Sequence, residues 1–142
     1  MTAIAILYPV FAQIILTLVI LAATARYRTS ALASGEVKPR DIALDNTRWP
    51  DRIRQFANCY SNQFELPVLF YVLCLISHTT RTADLIFVLL AWVFVVTRVV
   101  HAYIHTGSNV VRIRGAVFGL GFVVLVVMTF YLLFRFLISP TI

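Results

Sequence analysis

Four long apolar segments constrain this chain more than any other feature of its sequence. Each contains about 20 mostly apolar residues, the length that an α-helix needs to cross the hydrocarbon core of a bilayer. They lie at about residues 4–25, 56–77, 85–104 and 115–138. Backbone polar groups in lipid must be hydrogen-bonded internally, so such segments are expected to be helices. The sequence therefore predicts one all-α domain over residues 1–142, an integral membrane four-helix bundle with up-and-down topology.

The composition excludes several other classes of protein. With 61% hydrophobic and 13% charged residues, a chain of 142 residues is too apolar for a small water-soluble domain. The formal charge of +6 does not indicate a nucleic-acid partner, because the basic residues concentrate in one connection between apolar segments. The first segment lacks a basic start and is too long for a signal peptide. Cys59 and Cys74 fall in one helix about 22 Å apart, too far for a disulfide.

Basic residues predict the orientation in the membrane. The connection of residues 26–54 and the start of the fourth segment lie on one side, whereas the other side carries Arg81 and Arg135. The basic residues on the first side are Arg26, Arg28, Lys38, Arg40, Arg48, Arg52, Arg54, Arg112 and Arg114. By the positive-inside rule this side is cytoplasmic and both termini lie outside. In a bacterium the membrane would be the inner one.

Polar side chains recur on one face of the second helix and on one face of the third. The two sets are Asn58, Asn62 and Glu65, and Arg98, His101 and His105. Spacings of three and four residues place each set on a single helix face. Asn62 and Arg98 each lie about 10 to 12 Å from the basic end of their helix. We expect the two faces to oppose each other, with Arg114 closing the cluster.

The buried charges in this cluster require partners. An unpaired Glu65 or Arg98 in hydrocarbon costs at least a few kcal/mol, so a pair between Glu65 and Arg98 or Arg114 is expected. Such pairs between helices could serve packing alone. The number of ionisable groups at one depth favours a polar cavity open to the cytoplasm. His101 and His105 could also share a metal with Glu65, although no metal site is predicted.

Four other residue sets carry structural predictions. Pro67 is expected to kink the second helix near the cluster. Gly115, Gly119 and Gly121 indicate a close helix contact. Gln13 would reach the cluster or form a single hydrogen bond between helices, and Trp49 is expected at the membrane interface.

The polar residues resemble those of a known family. Asn62-x-x-Glu65 with the nearby Pro67, Arg98-x-x-His101 and Arg114 together resemble the membrane-associated proteins in eicosanoid and glutathione metabolism, the MAPEG family. The resemblance covers essentially the whole chain. It implies a homotrimer that binds glutathione at subunit interfaces on the cytoplasmic side.

The resemblance also implies site residues and an activity. Those expected to bind glutathione or a related thiol are Asn58, Asn62, Glu65, Arg98, His101 and Arg114. Arg114 is expected to act in catalysis by stabilising the thiolate, because a nearby cation favours the ionised thiol. His105 is the second expected catalytic residue. The implied function is detoxification, by transfer of the thiol to lipophilic electrophiles or by reduction of lipid hydroperoxides that arrive from the membrane lipids.

Two positions depart from the family pattern. Glutathione-using members have Arg where this chain has Asn58, and commonly Tyr where it has His105. The run from Arg98 through His101 and His105 to Asn109 is more similar to a bacterial branch of the family. A non-catalytic lipid-binding or scaffold protein on the same fold is therefore the alternative.

Overall fold

The chain folds entirely into helices and short connections over the part described by the structure, a computed structural model of residues 3–138. The α-helices are α1 (Leu7–Ala33), α2 (Pro39–Ile42), α3 (Asp51–Ser61), α4 (Leu66–Thr79), α5 (Leu85–Thr106) and α6 (Val111–Ile138). Short 3₁₀ turns occupy Ala3–Ile6, Asn46–Arg48 and Asn62–Phe64. The predicted all-α class is confirmed.

Four spans in this part of the chain are long and apolar enough to cross a membrane. They are Ile4–Ala33, Asp51–Thr79, Leu85–Thr106 and Val111–Ile138. Large apolar side chains such as Phe11, Leu18, Val96 and Phe130 lie exposed on their surfaces. Exposed apolar faces on helices of this length are stable in lipid and costly in water. The chain is thus an integral, multi-pass membrane protein.

The core lies around α5, which packs mainly against α6. Phe70 of α4 stacks on Phe94 of α5 with ring centroids 4.6 Å apart, and Met128 of α6 is fully buried. Gly121 allows close approach of α6, because a Cβ there would lie 2.9 Å from Thr97 Oγ1. The predicted close contact therefore holds at Gly121. Nothing in the described protomer lies within 4 Å of a Cβ built at Gly115 or Gly119.

The first helix is longer than the sequence pattern predicts. It continues past Ala25 to Ala33, so the connection to α3 begins at residue 34 rather than 26. Ala31 packs with Val37, Trp49 and Ile53 in a small apolar cluster, which supports the added turns of helix. Trp49 is accordingly buried within the connection. We call this side of the bundle, formed by residues 26–54 and 105–114, the basic end.

The second predicted helix is broken. Helix α3 ends at Ser61, a 3₁₀ turn follows, and Glu65 has φ −96° and ψ −102° before α4 starts at Leu66. Pro67 has no backbone N–H and its ring crowds the carbonyl of Gln63, so a continuous α-helix is disfavoured there. The predicted kink is confirmed as a full interruption. Asn62 and Glu65 both lie within it.

A polar clamp joins α5 and α6 at the end of the bundle opposite the basic end. Asp84 Oδ1 accepts the Phe87 N–H at 2.9 Å and thereby caps α5, while Oδ2 accepts from Arg135 Nη1 at 2.9 Å and from the Tyr131 hydroxyl. Burial alone would raise the pKa of Asp84, but the two hydrogen bonds and the charge of Arg135 outweigh it. The pKa therefore lies below its ordinary value of 3.8.

Candidate functional site

His101 lies at the centre of the polar cluster and joins three helical segments. Its Nδ1 lies 3.2 Å from the Arg114 carbonyl oxygen, and its Nε2 lies 3.4 Å from Asn62 Nδ2. The carbonyl can only accept, so Nδ1 carries the proton, and Nε2 then accepts from the amide of Asn62. This pattern requires a neutral imidazole. The two predicted polar faces therefore meet at Asn62 and His101.

Arg98 lies one helical turn deeper and is completely buried. Its guanidinium carbon lies 5.1 Å from the centroid of the Phe118 ring, which faces it from α6. None of its three side-chain nitrogens has a hydrogen-bond partner among the described residues. A buried cation without an acceptor is costly, so the ring contact alone does not balance the lost hydration.

Glu65 does not provide the missing acceptor. The expected ion pair with Arg98 or Arg114 is absent from residues 3–138, and Glu65 is exposed on the surface of the protomer. The prediction assumed a continuous α-helix with 3.6 residues per turn. The helix is instead interrupted at Glu65, whose φ of −96° and ψ of −102° are not helical, and the residue lies exposed at this break.

His105 lies beside His101 but makes fewer polar contacts. The two rings meet edge to face with centroids 5.5 Å apart, and His105 is 2% exposed. Its Nδ1 is buried without a hydrogen-bond partner in the part of the chain that the structure describes. No group of three His, Cys, Asp or Glu side chains within residues 3–138 is arranged to hold a metal ion. The two histidines therefore lack the third ligand that the metal hypothesis took from Glu65.

The turn between α5 and α6 is fixed by α3. Gln55 Nε2 donates to the carbonyl oxygens of His105 at 2.6 Å and Gly107 at 3.2 Å, and Arg52 Nη1 donates to that of Thr106 at 2.6 Å. These donors satisfy carbonyls that the end of a helix leaves without partners. Because α6 starts directly after this turn, the contacts from α3 also fix the position of the first turn of α6, which carries Arg114.

Arg114 binds a neutral partner. Its Nη1 donates to Asn109 Oδ1 at 2.5 Å, and no carboxylate of the described chain lies within 4 Å of it. Asn109 adopts a left-handed backbone conformation with φ 52°, which asparagine tolerates better than most residues. The positive charge of Arg114 is thus anchored but not neutralised.

A cleft of about 700 Å³ opens at the basic end. Its walls are formed by Arg28, Asn46, Thr47, Trp49, Asp51, Arg54, Gln55, Ala57, Asn58, Ser61 and Asn109. Of the predicted site residues only Asn58 lines it directly, and Arg114 is connected to it through Asn109. Arg98, His101 and His105 are buried and do not line it. The volume falls within the range of small-molecule sites, and the lining is mostly polar.

The sequence pattern missed Arg28, Arg54 and Gln55 as cleft residues. Arg28 lies over the Trp49 ring at 5.2 Å, a contact that depends on the extension of α1. Arg28 and Arg54 lie in the predicted loop and Gln55 directly follows it, so no helical periodicity indicated a shared site for these three residues. Gln13, in contrast, forms the interhelical hydrogen bond considered from the sequence, donating to Gln63 Oε1 at 3.0 Å.

The fold and the site define an integral membrane protein of four apolar spans, with a cluster of buried arginine and histidine beside a polar cleft at its basic end. In a comparison with protein families, residues 6–134 match the MAPEG family. The chain therefore belongs to the MAPEG family. No curated protein and no solved structure matches it.

Proposed function

We propose that this protein is a membrane-embedded, glutathione-dependent transferase or peroxidase that acts on lipophilic electrophiles or lipid hydroperoxides. One observation carries the proposal. The two arginines of the cluster, Arg98 and Arg114, meet no carboxylate within 4 Å among the described residues. Glutathione provides two carboxylates and an ionisable thiol, which are the groups that unneutralised guanidinium groups bind and stabilise.

Arg114 is the residue best placed to stabilise a thiolate. It is only partly buried, and its hydrogen-bond partner Asn109, which lines the cleft, is an amide that does not neutralise its charge. A cation near the sulfur favours the ionised thiol and so raises the fraction of nucleophile at pH 7. In the transferase reaction the sulfur forms a bond to an electrophilic carbon, whose leaving group departs with its electron pair. With a hydroperoxide the thiolate sulfur attacks the outer oxygen, the O–O bond breaks, and the alkoxide leaves and is protonated to the alcohol. The thiol of a second glutathione then attacks the sulfenic sulfur, which gives glutathione disulfide and water.

Assembly as a homotrimer would complete the site. Glu65 is the middle residue of the span Asp51–Thr79 and is exposed on the protomer surface. A carboxylate exposed to lipid at that depth is costly, so a contact between subunits that covers it is favoured. The same contact would place an acceptor near the level of Arg98. We propose further that the basic end, with the cleft, faces the cytoplasm and that both termini lie outside.

Calorimetric titration of glutathione into the purified protein in detergent tests this function. We expect saturable binding that weakens about 10- to 100-fold in Arg114→Ala, the usual effect of losing a charged hydrogen bond. Arg98→Ala should also bind more weakly. Arg112→Ala is the matched control, because Arg112 is exposed, carries the same charge and lies two residues away. Absence of binding at millimolar glutathione, or equal losses in the Arg112 and Arg114 variants, would contradict the proposal.

A non-catalytic lipid-binding or scaffold protein is the second candidate. It is favoured by the nearly complete enclosure of Arg98, His101 and His105, which are 0%, 1% and 2% exposed. Polar side chains so enclosed can serve helix packing alone. A tightly bound lipid, identified by mass spectrometry, together with no turnover of a broad panel of electrophiles and hydroperoxides would establish this function instead.

A further inference from the structure

Asn109 accepts a hydrogen bond from the Arg114 guanidinium and lies in the wall of the cleft. The amide oxygen accepts one N–H of the guanidinium, which has five donors in total. The remaining donors stay available to another acceptor. A carboxylate at position 109 would make the same hydrogen bond but would also neutralise the cation.

The backbone at Asn109 is held as firmly as its side chain. Its N–H donates to the Ile104 carbonyl at 2.8 Å, its φ is positive, and the residue lines the cleft. The preceding carbonyls of the turn accept from Gln55 and Arg52 of α3. The backbone hydrogen bond of Asn109 and the contacts from α3 therefore both hold the Asn109 amide oxygen, which in turn holds the Arg114 guanidinium.

The other end of Arg114 is fixed as well. Its backbone carbonyl accepts from His101 Nδ1 at 3.2 Å, so the residue is anchored through main chain and side chain. A side chain held at both ends loses less freedom when it binds a ligand, which improves affinity and orientation.

We propose that Asn109 is a positioning residue that aims the Arg114 guanidinium toward the cleft while leaving its charge free for the thiolate of the bound thiol. This role rests on the proposed function. It requires a neutral acceptor at position 109, because only a neutral acceptor both orients the cation and leaves it unneutralised.

Two substitutions separate orientation from charge. Asn109→Gly removes the side chain and retains a residue that adopts positive φ without strain. Asn109→Asp keeps the shape and the acceptor but adds a negative charge. Ser108→Asp is the matched control, because Ser108 is exposed in the same turn and does not line the cleft.

The measurements are glutathione affinity, kcat and KM with a lipophilic electrophile, and the pH dependence of thiolate absorbance in the complex. We expect Asn109→Gly to lower kcat about 10- to 100-fold, as for a displaced catalytic group. In Asn109→Asp the pKa of the bound thiol should rise by about one unit or more. Ser108→Asp should change glutathione affinity, kcat and KM less than about twofold and should leave the thiol pKa nearly unchanged, because a solvated charge is well screened.

The outcomes distinguish the role of Asn109 from the proposed function. Wild-type protein that binds no glutathione overturns the proposed function and the role of Asn109 with it. Wild-type activity that is retained in both Asn109 variants overturns only the role of Asn109. An equal rise of the thiol pKa in Asn109→Asp and Ser108→Asp also overturns it, because the charge would then act without the contact to Arg114.

Discussion

The clamp between α5 and α6 should contribute measurably to stability, and its parts can be separated by substitution. Asp84→Ala removes the cap of α5, the ion pair with Arg135 and the acceptor of the Tyr131 hydroxyl. A lost helix cap costs about 1 kcal/mol. A partly exposed ion pair contributes at most about 1 kcal/mol, and a hydrogen bond about 1 kcal/mol. Asp84→Ala should therefore lower the free energy of unfolding by about 2 to 3 kcal/mol.

Asp84→Asn isolates the charge, because asparagine caps helices as well as aspartate does. Only the ion pair and part of the hydrogen bond from Tyr131 are lost, so the expected cost is about 1 kcal/mol. Unfolding in mixed detergent micelles, followed by circular dichroism, measures both variants. Asp41→Asn is the control, since Asp41 forms an ion pair with Arg48 at 3.8 Å between side chains that are 43% and 60% exposed.

The pH dependence provides a second check on the clamp. The folded-state pKa of Asp84 lies below 3.8, so its charge stabilises the protein above the ordinary pKa of aspartate. This contribution is lost as the pH falls through the lower, folded-state value. The difference between wild type and Asp84→Asn should be complete at about pH 7 and decrease below about pH 4. An Asp84→Asn variant as stable as Asp41→Asn, or a difference that grows toward low pH, would refute the reasoning.

Two further predictions follow from packing and exposure. Gly121→Ala should destabilise the bundle by about 1 to 3 kcal/mol, because its Cβ would lie 2.9 Å from Thr97 Oγ1, whereas Gly119→Ala has open space in the protomer. Unfolding of both variants measures the difference, and equal stability would contradict the close contact. A cysteine in place of the fully exposed Leu44 should react with a membrane-impermeant maleimide only in inside-out vesicles. Labelling in right-side-out vesicles would reverse the proposed orientation.

The sequence by itself determined the architecture, because its apolar segments have the length of a bilayer span and lipid permits few other structures. It also predicted that the polar faces of the second and third helices would oppose each other, and Asn62 and His101 meet where these faces come together. The break at Pro67 was foreseeable from the missing N–H of proline. These features depend on local spacing and composition.

Only the tertiary structure decided how the charges are arranged. Glu65 followed the helical period in the sequence, but the helix is interrupted at this residue, and it lies exposed on the protomer surface. The extension of α1 depends on packing against Trp49, which is distant in sequence. The contact of Arg114 with Asn109 depends on a turn that α3 holds in place. Such contacts join separate elements, so their geometry is not contained in the period of any single helix.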